Sequence, residues 1–170
     1  MTLICSQNPC PCGHLGDAKH SCTCHPREIF RYRNKISGPL MDRIDLQIEV
    51  PAIPYQELGD ERNGEPSAVI RGRVRESRTR QQKRFAGHSI HCNAQMGPTD
   101  VQRFCPLSSG GRSFLQDAAR RLALSARAYD RILKIARTIA DLNDTKRITT
   151  EHLAEAVQYR SLDRQGHINV

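Results

Sequence analysis

Apolar residues recur with the 3.6-residue period of an amphipathic helix in the second half of the chain. The clearest run consists of Tyr129, Ile132, Leu133, Ala136, Ile139 and Ala140. Ser125 stands directly before this run, where its hydroxyl can cap the helix. Ser113 can cap a helix before it, and Thr149 can cap a last helix that ends near Arg160. The pattern therefore predicts a helical bundle.

A more polar segment precedes this region. Ser67 can cap a helix that extends to about Phe85, and we expect its few apolar positions to face inward. These positions are Val69, Ile70 and Val74. Residues 87–97 show no period, and Thr99 can cap a short helix after them.

The first part of the chain follows another pattern. Thr2–Cys5 is a short apolar run that ends in a turn, which is typical of a buried strand. Ile44–Val50 alternates apolar and polar residues and predicts a second strand. Pro26 suits the first turn of a helix that runs to about Ile36. Residues 9–25 show neither the helical nor the strand period, which predicts a loop. Something other than a hydrophobic core must hold this loop in place.

These elements predict an α+β protein in two parts. Residues 1–54 form the first part, with the loop 9–25 inside it. Residues 55–66 are rich in proline and glycine, which is typical of an interdomain linker. Residues 67–165 form an all-helical domain.

Composition narrows the class of protein. The 170 residues carry a net charge of +8, which favours a phosphate-rich partner such as nucleic acid. No apolar run is long enough to span a membrane and no export signal precedes the cysteines, so we expect a cytoplasmic location. The seven cysteines are an odd number, and reduced thiols or a metal site are favoured over a disulfide framework.

Four of the cysteines form two tight pairs with nine residues between them. Four thiolates suit tetrahedral Zn²⁺, and such a closed set leaves no position for catalytic water. The expected ligands are Cys10, Cys12, Cys22 and Cys24. Two alternatives stay open: the cysteines hold no metal, or a nearby imidazole replaces one thiolate. The imidazoles in reach are those of His14, His20 and His25.

Basic residues crowd the segment after the linker. Arg71, Arg75 and Arg78 are the candidates for contact with nucleic acid, and a solvated helix face is the alternative. Few aromatic residues accompany them, which argues against a stacking platform for single strands. The chain contains no phosphate-binding loop of the Gly-x4-Gly-Lys-Ser/Thr type and no apolar run that ends in paired acidic residues. We therefore expect no hydrolysis of a nucleoside triphosphate by this chain alone.

Several motifs together resemble the magnesium-chelatase-like AAA+ ATPases of the ComM/YifB group. They are Asn8–Gly13, Gly38–Leu46, Ser125–Leu133 and Ala136–Leu142. The resemblance covers nearly the whole chain and corresponds to the C-terminal part of such a protein. It implies a partial AAA+ α/β core from the sensor-1 strand onward, with the cysteine loop as an insertion, followed by the helical lid.

The resemblance also implies roles for three residues. Asn8 matches the sensor-1 residue that orients the attacking water, and its alternative is an ordinary turn asparagine. Arg43 matches the arginine finger offered to a neighbouring subunit's nucleotide. Otherwise it would be a surface partner of Asp42 or Asp45. Arg127 matches the sensor-2 arginine at the start of a lid helix, and its alternative is a solvated helix residue.

The function that the resemblance implies is ATP-driven DNA remodelling, such as branch migration during natural transformation. ATP and magnesium would bind only together with the ATPase core that carries the phosphate-binding loop. The partners would be that core, the neighbouring subunits of a homo-oligomeric ring, expected to be a hexamer, and DNA. Two alternatives are the motor subunit of a magnesium chelatase and a stand-alone zinc-dependent module that binds nucleic acid.

Overall fold

The computed structural model describes residues 2–17, 19–41, 43–51 and 64–160. The described residues fall into two compact units. One contains the described residues up to 43 together with 49–51, and the other contains 44–48 and 64–160. None of the helices in the described ranges has the length and apolarity needed to cross a membrane.

Seven α-helices and one 3₁₀ turn account for the regular structure of the described residues. The first unit contains α1 (Pro26–Arg33) and α2 (Gly38–Met41). The second contains α3 (Ser67–Arg84), the 3₁₀ turn Asn93–Gln95, α4 (Pro98–Phe104), α5 (Ser109–Leu122), α6 (Ala126–Leu142) and α7 (Thr150–Gln158).

The second unit is a helical bundle built around α6. This helix packs against α3, α4, α7 and the 3₁₀ turn, and α5 packs against α7. The predicted caps of α6 and α7 are confirmed, because the hydroxyls of Ser125 and Thr149 accept backbone N–H groups of the first turns. The predicted cap at Ser113 is wrong, since α5 begins earlier and Ser108 caps it through the Gly111 N–H. The expected helical second half is thus confirmed.

The predicted inward face of α3 is also wrong. Val69, Ile70 and Val74 are exposed, as are all residues from Ser67 to Glu76. The part of α3 that packs on the bundle is its C-terminal half, through Ser77, Gln81 and the C-cap residue Phe85. Once a helix has formed, each added residue contributes one backbone hydrogen bond, so extension costs little. The packed C-terminal half of α3 can therefore continue into an exposed N-terminal half.

The two predicted strands do not form in the described residues. Neither Thr2–Cys5 nor Ile44–Val50 has regular secondary structure. Thr2–Cys5 is exposed, and within Ile44–Val50 only Ile44 is partly buried and only Gln47 is buried. A strand needs a neighbouring strand for its backbone groups, and none is present in the described ranges. The strand component of the α+β prediction, and with it a sheet of a partial AAA+ core, is therefore not seen there.

The second of these segments uses its backbone in another way. The Gln47 N–H donates to the Tyr159 carbonyl at 2.9 Å, and the Arg160 guanidinium donates to the Ile44 carbonyl. Gln47 is consequently buried while Leu46 and Ile48 are exposed, the reverse of the predicted alternation. Of the predicted linker 55–66, only 64–66 lie within the described residues, and Asp42 lies outside them.

Candidate metal centre and associated residues

The four predicted ligand cysteines lie together in the first unit. The Cys10 Sγ is 3.4 Å from the Cys12 Sγ and 3.7 Å from the Cys22 Sγ, and the latter two sulfurs are 3.6 Å apart. All four sulfurs, including that of Cys24, lie within 4.8 Å of one another. Cys10 is fully buried and the other three are partly buried.

These separations match the edges of a zinc–thiolate tetrahedron. With Zn–S bonds of about 2.3 Å, the ligand sulfurs of a tetrahedral site stand about 3.8 Å apart. The observed sulfur separations of 3.4–3.7 Å are close to this value. The residues therefore fit a single Zn²⁺ ion held by four thiolates.

Local backbone geometry brings the two cysteine pairs together. The Gly13 N–H donates to the Cys10 carbonyl at 3.1 Å, and Gly13 has φ of +85°, which favours glycine. The Cys12 N–H points at the Cys24 sulfur at 3.4 Å. From α1, the Arg33 Nε donates to the Pro9 carbonyl at 3.1 Å and ties the start of the loop to the helix.

The electrostatics of the cluster differ from one thiol to the next. Hydrogen bonds from the backbone at His14 and Thr23 lower the pKa of the Cys12 thiol to about 5. Desolvation raises the pKa of the Cys24 thiol to about 12. The surroundings therefore favour the thiolate form at Cys12 and oppose it at Cys24.

The three histidines weighed as substitute ligands have other partners. The His25 ring accepts the Arg27 N–H at 3.2 Å, and the Glu28 carboxylate accepts the His25 N–H at 2.9 Å, a capping box for α1. His14 and His20 turn their Nδ1 atoms to one oxygen of Asp17, at 3.4 and 3.2 Å. The structure thus groups the cysteines without any of the three imidazoles.

Sequence reasoning missed Asp17. Its second carboxylate oxygen accepts the Lys19 N–H at 2.8 Å, and this contact, together with the hydrogen bonds of His20 and His14, lowers the pKa of Asp17 to about 2. The side chain of Asp17 is 17% exposed, against 45% for His14 and 65% for His20. The spacing His-x2-Asp-x2-His was the signal that could have revealed this cluster.

The candidate nucleotide-site residues are distributed over both units. Asn8 is exposed in the first unit, two residues before Cys10, and lines a shallow depression with Ser6, Gln7 and Tyr32. Arg43 is exposed in the same unit and donates to the Pro39 carbonyl at 3.1 Å. Arg127 is exposed in the second unit, in the first turn of α6.

The alternative ion pair between Arg43 and Asp45 has no support in the described residues. Asp45 instead forms an ion pair with Arg131 of α6, which lies in the same unit as Asp45.

The arginines of α3 fall into two groups. Arg73, Arg80 and Arg84 form ion pairs, with Glu65 at 2.6 Å, with Asp144 at 2.7 Å and with Asp141. Arg71, Arg75 and Arg78 are exposed and form no ion pair with any described residue. Their spacing of four and three residues places these last three on one face of the helix.

Comparison with known proteins identifies the family. Residues 1–58 match the family described as magnesium chelatase, subunit ChlI, and residues 64–160 match its C-terminal counterpart, magnesium chelatase, subunit ChlI C-terminal. The chain belongs to the magnesium chelatase family. This membership makes it part of the AAA+ ATPases and confirms the resemblance seen in the sequence.

Several relatives within this magnesium chelatase family align over nearly the whole chain. Competence protein ComM of Haemophilus influenzae is 44% identical over 165 residues, which are 95% of this chain and 31% of the relative. The uncharacterized protein YifB of Escherichia coli is 40% identical over 163 residues, with the same two shares. The uncharacterized protein Rv2897c of Mycobacterium tuberculosis is 32% identical over 159 residues, 93% of this chain and 31% of the relative. The chain spans about a third of the length of these relatives.

Proposed function

We propose that this chain is the sensor and lid part of an AAA+ ATPase that couples ATP hydrolysis to DNA remodelling, of the branch-migration or helicase type used in natural transformation. The observation that carries the proposal is the 44% identity to a competence protein over 95% of the chain. In this proposal the ATPase assembles as a homo-oligomeric ring of six subunits. ATP and magnesium bind at a core that carries the phosphate-binding loop.

Three residues of the chain would serve ATP hydrolysis. Asn8 would orient the attacking water with its side-chain amide. Arg43 would place its guanidinium on the nucleotide of a neighbouring subunit and stabilise the charge that develops in phosphoryl transfer. Arg127 would contact phosphate oxygens from the first turn of α6, where the helix dipole also favours an anion. The exposure of all three supports these roles, since each side chain can meet a ligand without a rearrangement of the core.

The cysteine cluster would hold structural zinc. Its position supports a role in ordering the sensor-1 segment, because Cys10 follows Asn8 by two residues and Arg33 holds the Pro9 carbonyl between them. Zinc would add a charged, closed crosslink to a loop that has little apolar core of its own. Loss of the ion would therefore disturb Asn8 as well as the loop.

The unpaired face of α3 would contact DNA. Arg71, Arg75 and Arg78 have no acidic partner among the described residues, so phosphate groups would not compete with existing ion pairs. Contacts of this kind bind the backbone and carry no sequence information. Remodelling of DNA of any sequence fits that property.

A chimera tests the proposal. This chain would replace the matching segment of Haemophilus influenzae ComM, which supplies the remaining two thirds of an AAA+ protein. We expect ATP hydrolysis that DNA stimulates, and ATP-dependent strand displacement on a forked duplex. Arg43→Ala should reduce the hydrolysis rate by about 10³-fold or more, because an arginine finger contributes about that much. Arg31→Ala, an exposed arginine of α1 in the same unit, is the matched control and should leave the rate unchanged.

The magnesium chelatase motor is the second candidate, and the match to the family of magnesium chelatase subunit ChlI favours it. The two candidates differ in what stimulates hydrolysis. DNA remodelling would be contradicted if DNA did not stimulate ATP hydrolysis by the chimera and the chimera displaced no strand. The chelatase motor would then be the remaining candidate. Unaltered hydrolysis in the Arg43→Ala chimera would contradict the arginine-finger role in either case.

A further inference from the structure

A second cluster of metal-ligating side chains lies in the loop between the two cysteine pairs. The Nδ1 atoms of His14 and His20 converge on the same oxygen of Asp17, at 3.4 and 3.2 Å. The rings of the two histidines lie 5.0 Å apart. The three ligand atoms, one from each residue, lie within 4.8 Å of one another.

The backbone shapes this convergence. The Asp17 N–H donates to the His14 carbonyl at 3.1 Å, and Gly16, with φ of +85°, makes the turn possible. The other Asp17 oxygen is fixed by the Lys19 N–H at 2.8 Å, just before His20. One carboxylate oxygen is thus anchored to the backbone and the other is presented to both imidazoles, as is usual for the hydrogen-bonded carboxylates that bind metals.

The distances between the three side chains suit ligands that share one cation. Charge-assisted bonds between an imidazolium and a carboxylate are about 2.7–2.9 Å long. The observed distances of 3.2 and 3.4 Å are longer than that. Ligands held at about 2.1 Å from a tetrahedral first-row ion stand about 3.4 Å apart. The observed separations therefore suit three ligands arranged around one ion, and without an ion the same atoms form long hydrogen bonds.

We propose that His14, Asp17 and His20 bind a first-row divalent cation of the Zn²⁺ type, at a site separate from the four cysteines. Two imidazoles and one carboxylate are borderline-hard ligands, unlike the soft thiolates of the cysteine cluster. Three protein ligands leave at least one coordination position for water or an external ligand. The exposed fractions of 45% and 65% for the two histidine side chains place that open position toward solvent.

Native mass spectrometry of the purified 170-residue chain in the presence of excess Zn²⁺ tests the site. We expect two bound ions in the wild-type chain, and one ion in each of His20→Gln and Asp17→Asn. Mutation of a residue that only hydrogen-bonds to a metal ligand already weakens metal binding about 10–100-fold. Loss of a ligand itself should therefore weaken binding of the second ion by at least that factor. His25→Asn is the matched control, because asparagine also caps helices and His25 lies outside the cluster. It should keep both ions.

The double variant Cys22→Ser/Cys24→Ser separates the two sites. It should lose the thiolate-held ion and keep the other. Cobalt substitution gives an independent readout, since only the thiolate site produces sulfur-to-cobalt charge-transfer absorption, and His20→Gln should leave that absorption unchanged. A wild-type chain whose single ion at saturation is held by the thiolates, as the charge-transfer absorption of the cobalt form would show, would overturn the proposal. The proposal would equally fail if His20→Gln or Asp17→Asn retained two ions, or if either lost the charge-transfer band.

Discussion

Arg84 and Asp141 form a two-pronged ion pair that joins the arginine-rich helix α3 to the core of the bundle. Both terminal nitrogens of the Arg84 guanidinium donate to the Asp141 carboxylate, one of them at 2.8 Å. Asp141 is 1% exposed, and its carboxylate also accepts a bond from Asn93 at 2.8 Å and pairs with Arg137 at 3.2 Å. One buried carboxylate therefore compensates two arginines and fixes the end of α3 on α6.

Removal of this carboxylate charge should destabilise the bundle strongly. Asp141→Asn leaves Arg84 and the buried Arg137 without compensation, and breaking a buried pair in this way costs about 3–5 kcal/mol. Denaturant unfolding, followed by circular dichroism, measures the loss. Asp117→Asn is the control, since Asp117 is exposed and its pair with Arg120 spans 3.9 Å. A surface pair of this kind contributes about 0–1 kcal/mol, so a similar loss in both variants would contradict our account.

The sequence predicted a helix well where the helix and its cap depend on residues close to each other in the chain. Ser125 and Thr149 are such caps, and the period of α6 was visible because that helix is central to the bundle. The start of α5 was missed because its first turn holds Gly110 and Gly111, which are poor helix formers. Gly111 is accepted there for packing: a Cβ at this position would meet the Leu153 Cδ1 at 3.3 Å.

Features that depend on distant partners were not predictable. Ile44–Val50 alternates apolar and polar residues like a strand. Its observed burial instead follows the hydrogen bond from the Gln47 N–H to the carbonyl of Tyr159, which lies far away in the sequence. The pairing of Arg84 with Asp141 also depends on tertiary contact. The cysteine cluster was predictable because short pairs constrain the positions of their own thiols. His14, Asp17 and His20 share a regular spacing, but their convergence depends on how the loop turns between them.

Arg127 should contribute to nucleotide binding but should not stabilise the folded chain. A positive charge in the first turn of a helix is unfavourable by about 0.3–1 kcal/mol, because the helix dipole is positive there. Arg127→Ala should therefore leave the midpoint of thermal unfolding of the chain unchanged or slightly raised. In the ComM chimera the same change should weaken ATP binding by tenfold or more, as measured by titration with a fluorescent nucleotide. A clear loss of thermal stability would instead indicate a structural role for this arginine.

Metal removal should loosen the first unit and spare the second. The loop 9–25 has only Cys10 fully buried among its described residues, so a chelator that removes the expected zinc leaves little to hold it. Hydrogen exchange should rise at the amides of Cys12 and Gly13, while the amides of α6 keep their protection. Addition of zinc should restore the slow exchange. Equal exchange at Cys12 with and without metal would show that the loop is stable by itself.

Cys105 should resist alkylation at neutral pH. It is 4% exposed, and desolvation raises the pKa of its thiol to about 11. Only the thiolate reacts, so the rate should rise about tenfold per pH unit between pH 7 and 10, below the pKa. Cys5 is exposed and provides the internal control for reagent activity. Mass spectrometry after iodoacetamide treatment of the zinc-loaded chain would show the order of labelling, and labelling of Cys105 before Cys5 would contradict its burial.

The unpaired arginine face of α3 should account for much of the salt dependence of DNA binding. Each phosphate contact contributes about −0.9 to the slope of log K against log salt, so the triple change Arg71→Ala/Arg75→Ala/Arg78→Ala should reduce that slope by about 2–3. Fluorescence anisotropy with a labelled duplex, measured over a range of salt concentrations, gives the slope. The control Arg112→Ala/Arg120→Ala/Arg121→Ala removes the same number of exposed charges from α5. Because both triple variants have the same net charge, an equal reduction in the two slopes would mean that DNA responds to net charge and not to this face of α3.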